Sequence, residues 1–428
     1  MNDGPRIAIV GAGGASFGPV MVYETIRAEG LAGATLVLVD INSARLDTAA
    51  ATARRMNSKR GNPINIETNT DTARGIEGAD YILLSVEVGR WIYWKQDLEI
   101  PRKYGSKQDM GENGGPGGTF HALRTIGLVL RICGLIEQHA PDALLLNVTN
   151  PLSRVNLAIH RGTKIRSIGL CPELMLCKLR MGRWLFVPPR EIGIRAAGIN
   201  HFTWIYGLSR ESTGEDLYPR LKRHIRLFPF AHGRLVREMH EKTGLYPVSS
   251  DSHIGEYLPY TGPRSVLPQW FPYQRFSEME CRLRVKLTEL YADGKFDIPW
   301  KILPKNIEGG IDIIEALESG APARFEAVNV PNRGYIPNLP DEVFVEVPAK
   351  AEGGELMPET MPPLPEPAAD YAKLQARIHN LIVDAVLKRD PAPAFEAFSS
   401  DPLAPPTLRK SRLAFDELMK LQKEVLPL

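Results

Sequence analysis

The sequence predicts an α/β fold, in which a Rossmann-type parallel sheet domain is followed by an α+β domain. Three observations support this prediction. A short apolar segment at residues 6–10 runs directly into a glycine-rich turn. Further apolar, β-branched segments then alternate with helical segments up to about residue 195, which is typical of βαβ units and a parallel sheet. Beyond that residue, strand-like and helical stretches mix with many prolines, so we divide the chain into residues 1–195 and 196–428.

The elements of the first part are predicted from the spacing of their apolar residues. A short apolar run bounded by turn residues predicts a buried strand, and apolar residues at helical spacing predict a helix. We expect Ser43 to cap the second helix. The predicted strands are Arg6–Val10, Thr35–Val39, Tyr81–Ser85, Ala143–Asn147 and Lys164–Gly169, and the predicted helices are Pro19–Glu29, Ser43–Lys59 and Thr119–His139.

The second part has fewer regular signals. Apolar stretches predict strands at Glu191–Ala196 and Phe202–Leu208. The segment Met357–Pro367 is expected to run extended over the surface, because its prolines favour polyproline geometry. Helical patterns follow at Ala369–Arg389 and Lys410–Glu424. We expect this α+β part to close over a cofactor that the first part holds.

The composition narrows the class of protein. With 43% hydrophobic residues, 24% charged residues and a net charge of +2, the chain suits folded domains rather than disorder. Its Arg and Lys residues are scattered, so we expect no nucleic-acid partner. No apolar run reaches about 18 residues and no signal peptide precedes the first strand, so we expect no membrane partner. Four cysteines are too few for a disulfide scaffold and fit a cytoplasmic location.

A dinucleotide-binding turn follows the first strand. Its glycines let the backbone approach a pyrophosphate, whose charge meets the N-terminus of the next helix. The third position of the G-x-G-x-x-G pattern is Ser16, so a tight glycine turn without a ligand is the alternative. Asp40 ends the second strand, where a carboxylate accepts hydrogen bonds from an adenosine ribose and repels a 2′-phosphate. NAD is therefore favoured, although Arg45 leaves NADP open. The expected cofactor-binding residues are Gly11, Gly13, Gly14, Ser16, Phe17, Asp40 and Arg45.

A cysteine and a histidine form a metal-like pair. Cys171 follows a predicted strand at its carboxyl end, where the ligands of open α/β sheets collect. His201 also lies near a strand end. A thiolate and an imidazole suit a borderline divalent cation, and oxygen atoms of a sugar diol would complete its coordination shell. The alternative is structural, because buried cysteines usually serve as small core residues.

Several motifs occur in a fixed order along nearly the whole chain. They are I-P-R-K-Y-G (100–105), G-E-N-G-G-P-G-G (111–118), L-L-L-N-V-T-N-P (144–151), G-L-C (169–171), A-G-I-N-H-F (197–202) and S-D-S-H-I-G-E-Y-L-P (250–259). Together with the opening glycine turn, they resemble the NAD- and divalent-metal-dependent glycoside hydrolases of family 4. The glycine-rich block and the D-x-H-x-x-E-Y block resemble the branch that acts on non-phosphorylated α-glycosides.

The resemblance implies a mechanism that differs from two-carboxylate glycoside hydrolysis. NAD oxidises C3 of the sugar, the ketone acidifies the C2 proton, a base removes that proton, and the leaving group departs by elimination. A divalent metal, expected to be Mn²⁺, stabilises the enediolate. The implied substrate is an α-glucoside, α-galactoside or α-uronide, and relatives are commonly homodimers or homotetramers. The alternative is an NAD-dependent sugar or hydroxy-acid dehydrogenase of the lactate/malate type.

The resemblance also implies roles for individual residues. Cys171 and His201 match the metal ligands, and Asn150 matches the asparagine that contacts substrate hydroxyls. Asp251 lies where several relatives place a catalytic carboxylate, and Tyr257 is the alternative base. Capping of a helix is the structural alternative for Asp251.

One position departs from the family pattern. Relatives carry a frequent proton donor directly after the metal cysteine, whereas this chain has Pro172, which has no proton to give. Glu173 or Glu112 is the candidate replacement acid, or the leaving group needs none, or the chain stops at oxidation or elimination. Asn113 and His253 are expected to line the sugar pocket. A non-catalytic sugar-binding relative is a further alternative, motivated only by Pro172.

Overall fold

The computed structural model describes residues 4–259, 273–297 and 309–428. Twelve strands within these residues form one sheet. They are β1 Arg6–Val10, β2 Thr35–Val39, β3 Asn65–Asn69, β4 Tyr81–Leu84, β5 Leu144–Asn147, β6 Arg166–Gly169, β7 Ile192–Ile199, β8 Phe202–Arg210, β9 Tyr246–Pro247, β10 Ala323–Pro331, β11 Phe344–Glu352 and β12 Glu355–Pro358.

The sheet has a parallel half and an antiparallel half. Its order is β3-β2-β1-β4-β5-β6-β10-β11-β7-β8-β9, and β12 pairs with β11. The strands from β3 to β6 are all parallel, whereas the pairs from β6 to β9 are antiparallel. The predicted α/β fold with a Rossmann-type sheet is therefore confirmed. The expected domain boundary after residue 195 lies inside β7, which continues the same sheet.

Fifteen helices surround the sheet within the described residues. They are α1 Gly18–Arg27, α2 Ser43–Ser58, α3 Thr72–Ile76, α4 Arg90–Lys103, α5 Gly115–His139, α6 Leu152–Gly162, α7 Glu173–Leu185, α8 Tyr218–Leu227, α9 Arg234–Thr243, α10 Asp251–Ile254, α11 Tyr273–Ala292, α12 Gly310–Ser319, α13 Ala368–Lys388, α14 Pro391–Ser400 and α15 Leu408–Leu421. Short 3₁₀ turns such as Gly255–Tyr257 connect some of them.

Three details differ from the sequence prediction. The cap of α2 is Asn42, whose side chain accepts a hydrogen bond from the Arg45 amide, so the prediction for Ser43 was wrong. The proline-rich segment is not wholly a surface segment, because Met361 and Leu364 are 2% and 3% exposed and pack in the core. The long helix begins at Gly115 rather than Thr119, so the glycine-rich motif forms its first turn.

Helix α5 is central to the packing. Among the described residues it is long and apolar enough to cross a membrane, but 72% of its most apolar window is buried inside the protein. That burial is what a core helix of a folded domain shows. Its first turn, which carries the glycine-rich motif, is buried as well. The glycine-rich motif therefore lies in the protein interior at the N-terminus of this helix.

Candidate active site

The glycine turn after β1 has the tight geometry that its sequence predicts. Gly11 has a φ of 91°, and a Cβ atom there would lie 1.9 Å from the Ser85 carbonyl oxygen. Its amide donates to the Val39 carbonyl at 2.9 Å, and the Gly14 amide donates to the Gly11 carbonyl at 3.0 Å. The turn therefore lies where β1, β2 and β4 end, which is where dinucleotides bind in such sheets.

A glycine that the sequence prediction overlooked completes this turn. Gly18 begins α1, and a Cβ atom there would lie 2.1 Å from the Ala12 carbonyl oxygen. Only glycine allows this close packing of helix against turn, which is the usual role of the third glycine in the motif. Ser16, at the expected third position, is exposed, and Phe17 is the half-buried residue before the helix. The glycine expected at the third position of the motif is therefore present two residues further along the chain, at Gly18.

Asp40 is oriented by the turn itself. Its two carboxylate oxygens accept hydrogen bonds from the amides of Gly13 and Asn42, each at 2.9 Å. The side chain of Arg45 is exposed beside them, and its Cβ atom would lie 2.7 Å from a Cβ atom at Gly13. The carboxylate is thus held at the end of β2, at the place where a ribose diol would meet it.

Cys171, which follows β6, lies against His201, which lies between β7 and β8. The Cys171 sulfur and the Nε2 atom of His201 are 3.3 Å apart. His201 occupies the tight turn between β7 and β8 with a φ of 64°. Glu346 holds this turn, because its carboxylate accepts hydrogen bonds from the side-chain amide of Asn200 at 2.9 Å and from the Thr203 hydroxyl at 3.0 Å.

The imidazole of His201 is kept neutral. Burial, followed by the charge of His253, lowers the pKa of His201 to about 3. A neutral imidazole is the form that binds a metal ion. The ligand atoms of His201, His253 and Glu256 all lie within 4.8 Å of one another, so more than one donor faces the same space.

The pKa of His253 is shifted in the opposite direction to that of His201. Burial disfavours its charged form, but the ion pair with Glu256 at 3.7 Å and the nearby carboxylates of Glu173 and Glu112 outweigh burial and raise the pKa of His253 to about 9. Its ring centroid is 4.5 Å from that of His201. The sequence analysis predicts that His253 lines the sugar pocket. In the structure, its ring lies next to that of His201.

Glu256 connects the glycine-rich motif to the block at residues 250–257. One of its carboxylate oxygens accepts hydrogen bonds from the amides of Glu112, Asn113 and Gly114 at 2.7, 2.9 and 3.3 Å. A Cβ atom at Gly114 would lie 2.4 Å from the Glu256 carbonyl oxygen. Sequence reasoning assigned Glu256 no role, because nothing local signals a contact across so many residues.

Asp251 caps a neighbouring helix. Its two carboxylate oxygens accept hydrogen bonds from the amides of Leu235 at 3.2 Å and Val236 at 3.0 Å, in the first turn of α9. Gly233, directly before α9, leaves room for the Asp251 carboxylate, because a Cβ atom at this position would lie 1.9 Å from an Asp251 oxygen. The structural alternative for Asp251 therefore has direct geometric support, with the cap on α9 rather than on its own helix.

Tyr257 is buried, at 3% exposure, and its hydroxyl donates to the Asn200 carbonyl oxygen at 3.2 Å. This carbonyl belongs to the residue next to His201, so the phenol lies beside the metal-like pair. Burial, followed by the charge of Glu256, raises the pKa of Tyr257, while the charge of Arg154 lowers it.

Both candidate acids are paired with arginines. Arg90 donates to Glu112 at 2.8 Å, and although burial opposes ionisation, this arginine lowers the pKa of Glu112 to about 2. Glu112 is therefore ionised at neutral pH and has no proton to donate there. Glu173 lies in the first turn of α7, is 5% exposed, and accepts a hydrogen bond from Arg180 at 3.3 Å.

Two asparagines are predicted from the sequence to bind the substrate. Asn113 is 4% exposed, and neither atom of its amide group has a hydrogen-bond partner among the described residues. Asn150 lies between β5 and α6, half-buried, and precedes a cis proline. The Asn113 side chain therefore has donor and acceptor atoms that no described residue satisfies.

The fold and the site together define a class: an enzyme with a glycine turn of the dinucleotide-binding type and a cysteine–histidine pair. The chain belongs to family 4 of the glycosyl hydrolases. Residues 6–187 match the family's sequence model, described as family 4 glycosyl hydrolase, and residues 196–404 match its C-terminal domain. The protein is therefore a glycoside hydrolase, and the dehydrogenase alternative is less supported.

Individual relatives agree with this membership. The chain is 29% identical to an α-galactosidase of Bacillus subtilis (strain 168), over 93% of each sequence. It is 28% identical to an α-glucosidase of Erwinia rhapontici, over 89% of this chain and 90% of the relative. A 6-phospho-α-glucosidase from gut microorganisms, solved in complex with NAD and Mn²⁺, shares the fold with a TM-score of 0.86, 23% identity and 99% coverage of both chains.

Proposed function

We propose that the protein hydrolyses a non-phosphorylated α-glycoside, namely an α-glucoside, α-galactoside or α-uronide, with NAD and Mn²⁺ as cofactors. The observation that carries this proposal is the approach of Cys171 to His201 at 3.3 Å beside the phenol of Tyr257. Two relatives whose names specify α-glucosidase and α-galactosidase support the substrate class. The shared fold of an enzyme solved with NAD and Mn²⁺ supports the cofactors.

The residues present fit both cofactors. The glycine turn with Gly18 leaves room for a pyrophosphate, and Asp40 lies where an adenosine ribose would be. Cys171 and the neutral His201 would hold the cation, with hydroxyl oxygens of the sugar completing its shell. When bound, NAD would supply reversible oxidation at C3 and the cation would supply Lewis acidity at the neighbouring oxygens.

The chain's own groups would handle the protons and orient the sugar. Tyr257 is the better candidate for removal of the C2 proton, because the carboxylate oxygens of Asp251 already accept two helix amides. Asn150, Asn113 and His253 would hydrogen-bond to sugar hydroxyls. Glu256 would hold the glycine-rich motif against the sugar through its three amide contacts.

Departure of the leaving group has no dedicated acid in this proposal. Pro172 cannot donate a proton, Glu112 is ionised beside Arg90, and Glu173 is paired with Arg180. We therefore expect activated aryl glycosides to react much faster than alkyl glycosides. A positioned acid is typically worth roughly 10²–10⁴-fold on a poor leaving group.

The setting of the enzyme is part of the same proposal. A cytoplasmic location agrees with the four free cysteines, which form no disulfide among the described residues. We also propose that the protein is a homodimer or homotetramer. Within each subunit, residues 1–195 would bind NAD, and residues 196–428 would bind the substrate and the metal. Size-exclusion chromatography with light scattering tests the assembly directly.

The deciding experiment is a panel of aryl α- and β-glycosides, glycuronides and phospho-glycosides, assayed with NAD and Mn²⁺. We expect hydrolysis of one α-glycoside class without net formation of NADH, and deuterium at C2 of the product when the reaction runs in D₂O. Steady, stoichiometric formation of NADH would favour the dehydrogenase instead. Hydrolysis without deuterium at C2 would rule out the elimination mechanism.

A further inference from the structure

Three side chains next to Cys171 carry polar atoms without a hydrogen-bond partner. They are the Nδ1 atom of His201, the Nδ1 atom of His253 and the Oε2 atom of Glu256, each unpartnered within the described part of the chain. His201 is 5% exposed and Glu256 is 1% exposed. A carboxylate oxygen in a protein interior is strongly unfavourable unless a donor or a cation satisfies it.

The same three residues form a possible metal-binding group. Each offers one ligand atom, and these atoms all lie within 4.8 Å of one another. Two imidazoles and one carboxylate are a donor set that binds divalent first-row metals. The Cys171 sulfur, 3.3 Å from the Nε2 atom of His201, adds a fourth donor to the cluster.

The measured separations agree with donors that share one cation. Metal–ligand bonds of roughly 2.0–2.3 Å place neighbouring ligand atoms about 3–4 Å apart. The Cys171 sulfur and the His201 Nε2 atom are 3.3 Å apart, and the His253 Nδ1 atom and the Glu256 Oε2 atom are 3.7 Å apart. The second separation is too long for a hydrogen bond, so both atoms stay available to a ligand.

Glu256 differs from the other carboxylates that the site was expected to use. Asp251 accepts two helix amides, and Glu112 and Glu173 each accept a hydrogen bond from an arginine. Glu256 binds the three amides of the glycine-rich motif through Oε1 alone. Its second oxygen, Oε2, is therefore left facing the two imidazoles.

We propose that His253 and Glu256 are ligands of the divalent cation, together with Cys171 and His201. The inference rests on the proposed function, because it extends the metal pair assigned there. His253 would then bind the cation instead of a sugar hydroxyl. Four protein donors would leave two positions of an octahedral shell for a sugar diol. Without the cation, His253 and Glu256 form the ion pair described above, which the cation would replace.

This arrangement has two consequences. The protein should bind Mn²⁺ before the sugar arrives, because four of the ligands belong to the chain. Glu256 would also join the cation to the glycine-rich motif, with one oxygen on each. Loss of the carboxylate charge should therefore weaken cation binding even where the contacts with the motif are kept.

The test measures Mn²⁺ binding to the protein with NAD and without sugar, by calorimetry and by pulsed electron paramagnetic resonance. The native protein should bind one Mn²⁺ per chain, and the spin-echo modulation should report two imidazole nitrogens. His253→Gln should weaken Mn²⁺ binding by about 100-fold and leave one imidazole nitrogen. An outer-shell partner also costs roughly 10–100-fold, so the nitrogen count decides between the two roles.

Two further variants sharpen the comparison. Glu256→Gln keeps an acceptor for the three amides but removes the charge, so it should weaken Mn²⁺ binding while two imidazole nitrogens remain. His240→Gln is the matched control, because His240 is a half-buried histidine of α9 that packs against Tyr246. It should leave both the affinity and the nitrogen count as they are in the native protein.

Three outcomes would overturn the proposal. A single imidazole nitrogen in the native protein, which needs no variant, would restrict His253 to its ion pair. An unchanged Mn²⁺ affinity in Glu256→Gln would restrict Glu256 to the glycine-rich motif. Two cations per chain would place His253 at a separate site. Failure of the proposed function is distinguishable, since Cys171→Ser would then bind Mn²⁺ as the native protein does.

Discussion

The two ends of the active site are built in opposite ways. The cofactor end, formed by residues 11–18 and Asp40, comes from one short stretch of chain and consists largely of backbone and half-exposed groups. The sugar end, formed by Cys171, His201, the glycine-rich motif and residues 250–257, gathers distant segments and buries their charges. Binding a dinucleotide requires shape, whereas proton transfer requires charges held in a low dielectric. The two ends should therefore respond very differently to substitution.

The largest effect is expected at the metal-like pair. Cys171→Ser and His201→Ala should abolish turnover and Mn²⁺ binding together, beyond the roughly 10–100-fold that outer-shell changes cost. Bound Mn²⁺, measured by isothermal titration calorimetry with turnover in parallel, checks this. Cys281→Ser, which removes another half-buried cysteine, is the control. Retained activity after exhaustive chelation would contradict the assignment.

The next effect separates Tyr257 from Asp251. Tyr257→Phe should lower C2 deuterium exchange by roughly 10²–10⁴-fold with little change in stability, because it loses only the bond to the Asn200 carbonyl. Asp251→Ala should retain exchange but destabilise the fold by about 0.5–2 kcal/mol, the cost of a lost helix cap. Mass spectrometry of the product and thermal melts measure the two effects.

Asp71→Ala is the matched control for the cap. Asp71 accepts the amides of Ala73 and Arg74 at the start of α3, after the edge strand β3, which lies five positions from β6 in the sheet, so its loss should give a comparable destabilisation with C2 exchange retained. If Asp251→Ala melts like the native protein but no longer exchanges the C2 proton, Asp251 is the base and the capping explanation is insufficient.

Much of the cofactor end could be predicted from the sequence, because its signals are local. The strands β1 and β2 were predicted with the bounds that the structure has, and the turn between β1 and α1 lies within them. Ser16 departs from the glycine motif at its third position. Gly18, two residues later, allows the close contact between α1 and the turn that the third glycine usually allows. What local pattern could not give was β3, whose exposed and polar residues lack an apolar run.

The sugar end could be predicted only as a set of residues, without their contacts. Cys171 and His201 were identified through motifs, but Glu256 acquires its role from amides that lie 142 to 144 residues earlier in the chain. The pairing of Glu112 with Arg90 likewise depends on packing between helices. Such properties follow from burial, which no spacing of residues specifies.

The buried carboxyl group of Asp401, beside Gly115 of the glycine-rich motif, should also appear in the pH dependence of stability. Burial is the main cause that raises the pKa of Asp401 from 3.8 to about 7, while the amides of Leu403 and Gly115 and the charge of Arg154 oppose it. Because the folded state binds this proton more tightly, the stabilisation is fully present below about pH 4 and is lost as the pH rises through 7. Asp401→Asn should flatten this part of the profile.

Thermal melts between pH 4 and pH 8 check this prediction, with the native protein compared to Asp401→Asn at each pH. Asp390→Asn, which changes an exposed helix-cap aspartate, should leave the slope of the profile as it is in the native protein. A profile for Asp401→Asn that runs parallel to the native one would show that Asp401 does not titrate in this window.

The smallest effect is expected at the cofactor end, where Asp40 should set the choice of dinucleotide. Its carboxylate is fixed by two amides at the end of β2, so it would repel a 2′-phosphate and favour NAD over NADP. Asp40→Ala should weaken NAD and strengthen NADP, by about tenfold or less in their ratio, because half-exposed charges interact weakly. Dissociation constants from calorimetry measure the ratio, and Asp47→Ala, an exposed aspartate on the neighbouring helix, controls for the lost charge. Equal affinity of the native protein for both dinucleotides would contradict this prediction. The hydrogen bonds of Asp40 would then stabilise the glycine turn without selecting between NAD and NADP.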